Sequence, residues 1–242
     1  MAIENGEWIM HGVDLDDPIR IKSAEELIDY VNQVGFLPLF KNEVDGFSVE
    51  ERTAAEYWWC ENVEVDPWMW REIIARSGEV AYGKFFNKRA GFISKEWFPY
   101  FANYRRDGYD FDARYDDELA GIRSKKIMDL FGEDHEKQLY SFEVKKNAGF
   151  GKGGEKNFDG VITELQMQTY LVMRDFRCKR NKAGVEYGWP VSVYSMPEQL
   201  WGYDWIASAY GEDPGASLER IVNHVRKMYP EATDRQILAI CR

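Results

Sequence analysis

Residues 165–197 read LQMQTYLVMRDFRCKRNKAGVEYGWPVSVYSMP, and this stretch decides the fold that the sequence predicts. Its first part, TYLVMRDFRCKR, is rich in β-branched and aromatic residues and ends in an alternation typical of a half-buried strand. The letters NKAG supply turn-forming residues, and VEYGWPVSVYSM has strand character again. The stretch therefore predicts a β-hairpin with its turn at residues 179–184.

The segments before the hairpin predict a specific order of elements. A helix is expected over 116–131, a short strand over 137–140 and a brief helix capped by Ser141. A glycine-rich loop at 149–157 leads to a second helix over 158–168. Helix, strand, helix, loop, helix, strand, turn and strand is the order of a winged helix-turn-helix, with the hairpin turn as the wing. The predicted fold is α+β and mainly helical, with a winged helix-turn-helix unit embedded in a single compact body.

Capping signals predict three helices near the start of the chain. In SAEEL, Ser23 and Glu26 have the spacing of a capping box. The segment SVEERTAAEYWW repeats this signature from Ser48, so a second helix is expected there. In DPWMWREIIAR, Asp66 precedes a proline at the first helical position, and Gly78 ends the helix.

The predicted organisation has three parts that are expected to pack as one body. Residues 1–115 form a helical, aromatic-rich region, and residues 116–197 form the winged-helix unit. Residues 198–242 form a C-terminal segment with two helices separated by YPEATD, and this segment is expected to pack on the rest.

The composition indicates a folded protein of a reducing compartment. Of 242 residues, 45% are hydrophobic and 15% aromatic, which is too much apolar surface for a disordered chain. The three cysteines lie far apart, which favours free thiols over disulfides or a cysteine-based zinc site. No apolar run approaches the roughly 20 residues of a membrane span, and the first residues lack the apolar segment of a signal peptide. We therefore expect a soluble, cytoplasmic protein with no membrane partner.

The charge of the chain is acidic but uneven. The net charge of −11 disfavours nucleic-acid binding over the whole surface, because phosphates attract Lys and Arg. Residues 121–200, however, hold 13 Lys and Arg against 11 Asp and Glu. The residues of this segment predicted to contact duplex DNA are Lys145, Lys146, Lys152, Lys156, Arg174, Arg177, Lys179, Arg180 and Lys182. Carboxylates are interleaved with them, so an ordinary mixed-charge surface is an open alternative.

Four segments together resemble a known bacterial family. They are YVNQVGFLPLFKNEVDGFSVEERT, DPWMWREIIARSGEVAYGKFF, GFISKEWFPYFANYRRDGYDFD and YGWPVSVYSMPE. In these segments the chain resembles the AlkZ-related family, over the range from Ser23 to Trp201. The family name implies a distant relation to the AlkZ DNA glycosylases, which are built from winged-helix units and excise alkylated or crosslinked bases. Such a relation implies a fold more than a chemistry.

The resemblance also implies a candidate catalytic pair. The glycosylases use a Gln–apolar–Gln motif to position water and to stabilise the sugar cation, and Gln166-Met167-Gln168 has this spelling. In the glycosylases the motif is expected near the N-terminus, whereas here it ends a predicted helix. The alternative is that Met167 points into the core and both glutamines face water.

Clustered aromatic residues suggest a pocket for a flat ring. Enzymes that act on a flipped base hold it by stacking. The tryptophans expected to line such a base or ligand pocket are Trp58, Trp59, Trp68, Trp70 and Trp97. The alternative is that they are ordinary core residues. The histidines, His11, His135 and His224, lack metal-ligand spacing, and the chain has no dinucleotide fingerprint, so neither a metal nor a cofactor is predicted.

Two functions of different classes follow from the sequence. The first is a DNA-associated winged-helix protein that resembles AlkZ-type glycosylases; as an enzyme it would cleave the N-glycosidic bond of a damaged base, with a carboxamide or carboxylate orienting water. The second is a non-enzymatic winged-helix module that binds a protein or a small molecule, its acidic surface excluding DNA. Binding of duplex DNA with a negative salt dependence would separate the two.

Overall fold

Helices and strands are interspersed along the chain in the computed structural model, which describes residues 2–4, 7–132 and 137–241. The fold is α+β, as predicted. The chain divides into two units, of which the first comprises residues 1–98 with 218–242 and the second residues 99–217. These limits differ from the expected boundaries after residues 115 and 197, and the packing of the three expected parts as one body stays a prediction.

The first unit combines helices with short antiparallel strands. Strand β3 pairs with β5, as in Phe36↔Ile93, and β5 pairs with β4. The turn between β4 and β5 is Asn87-Lys88, and both residues have positive φ, as a type I′ hairpin requires. This hairpin was not predicted from the sequence. In chain order the elements are β1 (Ala2–Glu4), β2 (Glu7–Ile9), α1 (Ala24–Val34), β3 (Phe36–Pro38), α2 (Pro67–Ser77), β4 (Val80–Phe86) and β5 (Arg89–Ser94).

The second unit contains the segments that carry the predicted DNA contacts. Strand β7 pairs with β8, as in Val172↔Ser195, and β8 pairs with the short β6, as in Leu139↔Tyr194; both pairings are antiparallel. The elements are α3 (Phe98–Arg106), α4 (Phe111–Asp116), α5 (Ile122–Met128), β6 (Leu139–Tyr140), α6 (Ser141–Asn147), α7 (Phe158–Met167), β7 (Val172–Arg180), β8 (Glu186–Ser195), α8 (Glu198–Trp201) and α9 (Tyr203–Ile206). The predicted strand, the two helices after it and the hairpin are present, although the strand covers only Leu139–Tyr140 of the expected residues 137–140. The prediction that Ser141 caps the brief helix is wrong, because Ser141 is the first residue of α6 and Tyr140 is its N-cap. Two further helices close the chain, as predicted: α10 (Pro214–Met228) and α11 (Asp234–Cys241).

The capping signals are confirmed at two of the three helices. Ser23 Oγ accepts a hydrogen bond from the Glu26 amide at 3.2 Å. Asp66 accepts from the amide of Trp68 at 2.8 Å, and Gly78 ends α2 in the left-handed conformation with φ 74°. Local hydrogen-bonding residues therefore fix where α1 and α2 begin.

The helix predicted from Ser48 is wrong. Ser48 and Glu51 do make the expected contacts, since the Glu51 amide donates to Ser48 Oγ at 3.2 Å. The chain then forms only two 3₁₀ turns, Glu50–Arg52 and Ala55–Tyr57. Between them Thr53 Oγ1 donates to the Val49 carbonyl, which is a local alternative to helical hydrogen bonding.

The helix predicted over 116–131 is also wrong, because the chain divides it. Helix α4 ends at Asp116, where the predicted helix was to begin, and α5 begins only at Ile122. Glu118 lies between them in the left-handed conformation with φ 59°, and the Leu119 amide donates to the Arg114 carbonyl. A non-glycine residue at positive φ cannot continue a helix, so α4 ends there.

No helix within the described ranges has the length and apolar character that crossing a bilayer requires.

The two capping residues differ in burial, and this difference predicts unequal contributions to stability. Asp66 is 1% exposed and accepts from the amides of both Trp59 and Trp68, whereas Ser23 caps α1 at an exposed site. We expect Asp66→Ala to lower the free energy of unfolding by about 2 kcal/mol and Ser23→Ala by about 1 kcal/mol or less. Urea unfolding of the two variants measures this; a larger loss in Ser23→Ala would contradict it.

Candidate nucleic-acid interface and the cavity at its base

The hairpin of β7 and β8 is buried at one end and exposed at the other. At its base Val172 and Val193 are fully buried, whereas residues 180–190 are all exposed. Asn181 shapes the turn, because its side-chain oxygen accepts from the amides of Ala183 and Val185 at 2.9 and 3.1 Å. The far half of the hairpin, residues 180–190, is therefore exposed to solvent, and hydrogen bonds to Asn181 stabilise its turn.

An irregularity in β8 presents an aromatic side chain at the exposed end. Arg177 pairs with Val191 and Lys179 with Tyr187, so residues 188–190 face a single residue of β7. Gly188 has φ 74°, a conformation that favours glycine. Trp189 follows it and is 89% exposed. Contact of so large an apolar ring with water is unfavourable in the isolated protein. Such exposure is typical of a surface that contacts a partner.

The hairpin carries a net positive charge. Its five cations, Arg174, Arg177, Lys179, Arg180 and Lys182, outnumber the carboxylates of Asp175 and Glu186, which leaves +3. The carboxylates neutralise two of the arginines, because Arg177 Nε donates to Asp175 at 2.5 Å and Arg180 Nη2 to Glu186 at 2.9 Å. Burial lowers the pKa of Arg174 below its usual value. Of the hairpin cations, Lys179 and Lys182 are thus best placed to contact DNA phosphates.

The other predicted phosphate contacts lie on α6 and on the loop after it. Lys145, Lys146, Lys152 and Lys156 are all exposed. Helix α6 lies beside the hairpin, since Lys179 Nζ is 5.1 Å from the centre of the Phe142 ring. Its Lys145 reaches α7, where Nζ is 5.9 Å from the centre of the Phe158 ring. The second unit therefore contains all nine predicted basic residues, and contacts join α6 to both the hairpin and α7.

The two glutamines of the predicted catalytic pair lie in different surroundings. Gln166 is 0% exposed, and its Nε2 donates to the Ile162 carbonyl within α7 at 3.0 Å. Gln168 is partly exposed and donates to Glu164 at 3.1 Å. The alternative in which both glutamines face water is wrong for Gln166, because its side chain is fully buried. A catalytic role for the pair stays a prediction.

The predicted tryptophans lie in the first unit, where Trp59 contacts two of the others. Trp59 lies 5.7 Å from Trp58 and 6.0 Å from Trp68 between ring centres, and Trp59 is half exposed. Trp70 is buried and donates to the Glu64 carbonyl, and Trp97 lies 4.1 Å from His224. Their role in a ligand pocket stays a prediction. His135 lies outside the described residues.

A cavity of about 370 Å³ lies at the base of the hairpin. Tyr170 precedes β7, whereas Met196 and Glu198 follow β8, and all three line it. The remaining lining residues come from α3, α4, α5, the segments next to them, and α9. They are Arg106, Asp110, Phe111, Asp112, Ala113, Met128, Asp129, Gly132 and Tyr203.

A buried ion pair forms part of the cavity wall. Arg106 is 1% exposed, and its Nη1 donates to Glu198 Oε1 at 2.6 Å and to the Tyr210 hydroxyl at 2.9 Å. Its Nε and Nη2 donate to the side chain and the carbonyl of Thr169, and its guanidinium lies 4.5 Å from the centre of the Tyr170 ring. Burial opposes the charge, but Glu198 and Tyr210 more than offset it and raise the pKa of Arg106. Arg106 is therefore fully charged and held by its neighbours.

A second polar contact lies at the mouth of the cavity. The Tyr203 hydroxyl donates to Asp110 Oδ2 at 2.8 Å, and this hydrogen bond raises the pKa of Tyr203 to about 12. Sequence reasoning identified none of the cavity residues. Its lining comes from segments between residues 106 and 203, and no local pattern marks residues that only the tertiary fold brings together.

The two glutamines also offer a test of their structural roles. We expect Gln166→Ala to lower the free energy of unfolding by about 2 kcal/mol, because it removes a fully buried, hydrogen-bonded side chain. We expect Gln168→Ala to change it by less than about 0.5 kcal/mol, because its contact with Glu164 is exposed. Thermal and urea unfolding check both values, and equal losses would contradict the assignment.

Comparison with known proteins agrees with the resemblance seen in the sequence. The model of a protein family described as AlkZ related matches residues 21–242. No curated protein and no solved structure matches the chain. The matched range includes both units apart from the first residues, so the chain belongs to the AlkZ-related family.

Proposed function

We propose that the protein binds duplex DNA with the hairpin of β7 and β8 as its principal contact. One observation carries the proposal: the far half of this hairpin is exposed, bears a net positive charge and presents Trp189 at 89% exposure, although the whole chain has a net charge of −11. Localised positive charge on an acidic protein directs phosphates to one surface. Membership of the AlkZ-related family supports a relation to proteins that act on DNA.

The order of elements supports a winged-helix unit in this part of the chain. From α5 to β8 the chain forms a helix, a short strand, two helices and a two-stranded antiparallel hairpin. In this interpretation the hairpin is the wing. Residues 186–190 of β8 are all exposed, and at about 3.3 Å per residue this end of the wing is roughly 16 Å long, which is enough to reach across a major groove about 12 Å wide.

The recognition helix of this unit would be α7, but its charges oppose a close approach to phosphates. Its exposed positions include Asp159 and Glu164. Carboxylates at these positions repel the DNA backbone. The proposal therefore assigns the phosphate contacts to Lys179 and Lys182 of the wing and to the lysines of α6 and its following loop, rather than to α7.

The proposed DNA-bound protein would act in the cytoplasm on damaged bases, by cleavage of the N-glycosidic bond. Support for this reaction comes from the family relation, with Gln166 and Gln168 as the predicted residues that position water. The burial of Gln166 makes direct contact with a water at a DNA backbone difficult. An excision assay on alkylated duplex DNA, with Gln166→Ala and Gln168→Ala, decides whether the pair is catalytic.

A second candidate is a non-enzymatic module that binds a protein or a small molecule through the same hairpin. The observation that favours it is the exposed apolar surface of Val185, Tyr187 and Trp189, which are 60%, 53% and 89% exposed. A protein partner would cover these side chains without needing the lysines. Charge reversal at the lysines therefore separates the two candidates.

Reversing two hairpin charges should weaken DNA binding. We expect Lys179→Glu with Lys182→Glu to lower the affinity for a 20-base-pair duplex about tenfold or more at low salt, and to reduce the log–log salt slope by about 2, because each lysine neutralises about one phosphate. Fluorescence polarisation at several salt concentrations measures both quantities.

The matched control carries the same change of net charge in the first unit. Lys22→Glu with Arg235→Glu alters two exposed cations there. We expect this control to bind DNA with nearly the affinity and salt slope of the unaltered protein. Equal losses in both variants, or no binding of the unaltered protein at low salt, would reject the hairpin as a DNA contact and favour the second candidate.

A further inference from the structure

We propose that the cavity at the base of the hairpin binds a planar cationic group, an amidinium or a guanidinium carried by a small molecule, with Glu198 as its hydrogen-bond acceptor. This inference rests on the cavity alone, and it holds whether or not the hairpin binds DNA. The cavity is about 370 Å³ in volume, within the range of small-molecule sites.

The wall of the cavity contains a buried carboxylate oxygen that accepts no hydrogen bond from the described residues. Glu198 is 9% exposed and lines the cavity. Its Oε1 accepts from Arg106 at 2.6 Å, whereas its Oε2 is buried and receives no hydrogen bond from any residue that the structure describes. Buried carboxylate oxygens are rarely left without a donor, and such an exception in a cavity wall is typical of a site that a ligand completes.

The cavity has little capacity left for an anion. The Nε, Nη1 and Nη2 atoms of Arg106 all donate to protein acceptors on Thr169, Glu198 and Tyr210. Arg106 is the sole cation among the described lining residues, and its charge is balanced by Glu198.

The remaining charges of the lining are negative. Asp110, Asp112 and Asp129 add three carboxylates. Lys125, which does not line the cavity, pairs with both Asp112 and Asp129, so the surroundings still keep an excess of negative charge. A cation with several N–H donors suits this lining, because it gains from the carboxylates and supplies the donor that Glu198 lacks.

Aromatic side chains give the cavity walls that suit a flat group. Tyr170 and Phe111 pack edge to face with ring centres 5.2 Å apart, and both line the cavity together with Tyr203. Aromatic faces attract cations, and methionine side chains such as Met128 and Met196 adapt to a flat ring. Amidinium and guanidinium groups are planar and carry several N–H donors, so one donor can serve Glu198 Oε2 while the flat group lies against the aromatic walls, whereas a rounder ammonium would use these walls less well.

Benzamidine is the probe for this inference, and benzamide is its neutral counterpart of nearly the same shape. In isothermal titration calorimetry of the full chain, we expect saturable binding of benzamidine with a Kd below about 1 mM, and at least about tenfold weaker binding of benzamide. Equal affinities for the two, or no saturable binding of benzamidine at concentrations up to about 10 mM, overturn the proposal.

Two variants locate the binding. Glu198→Gln keeps the shape of the side chain and removes its charge, and we expect at least a tenfold loss of benzamidine affinity. Because Glu198 also pairs with buried Arg106, this variant is complemented by Ala113→Trp, which fills the exposed mouth of the cavity without altering the pair. We expect the same loss from Ala113→Trp.

The control is Ala183→Trp, which places the same side chain at the exposed hairpin turn, away from the cavity lining. It should bind benzamidine with unchanged affinity, and circular dichroism verifies that all variants are folded. Retention of benzamidine binding in folded Ala113→Trp overturns the proposal even if Glu198→Gln fails to fold. Because the hairpin lysines are intact in Ala113→Trp and Glu198→Gln, DNA binding is tested separately from ligand binding.

Discussion

The buried ion pair between Arg106 and Glu198 is the constraint on which the second unit depends. A guanidinium that is 1% exposed has lost nearly all its hydration, at a cost of several kcal/mol, so it must find acceptors inside the protein. Arg106 finds them on three separate segments: Thr169 just before β7, Glu198 just after β8 and Tyr210 beyond α9. One side chain of α3 thereby connects the start of β7 with the end of β8, at the base of the hairpin.

The contacts of Arg106 fix the position from which the hairpin extends. Because Arg106 holds the residues on either side of the first strand pair, Val172↔Ser195, the hairpin leaves the unit from a defined position. The conformation of the exposed end is set by local features, namely the turn at Asn181 and the irregularity at Gly188 that exposes Trp189. The same contacts place Tyr170 and Glu198 in the wall of the cavity. The proposed DNA contact and the proposed ligand site therefore share one structural support.

Sequence patterns identified the parts of both units that local chemistry determines. The alternation and turn residues around Asn181, the helix over residues 158–168 and the Asp66 cap act within a few residues, and all were predicted. The left-handed Glu118 that separates α4 from α5 has no such signal, since glutamate normally favours helices. The cavity was missed for a related reason: Arg106 and Glu198 are 92 positions apart, and only the folded chain brings their charges into contact.

A double-mutant cycle on this pair tests the central claim most directly. Urea unfolding is measured for Arg106→Met, Glu198→Met and the double variant. We predict that each single variant loses about 3–5 kcal/mol, because it leaves one buried charge unpaired, and that the double variant loses no more than the worse single one. The coupling energy would then be at least about 3 kcal/mol in magnitude. Losses that add within about 0.5 kcal/mol would show that the two residues act independently, and would contradict the role assigned to the pair.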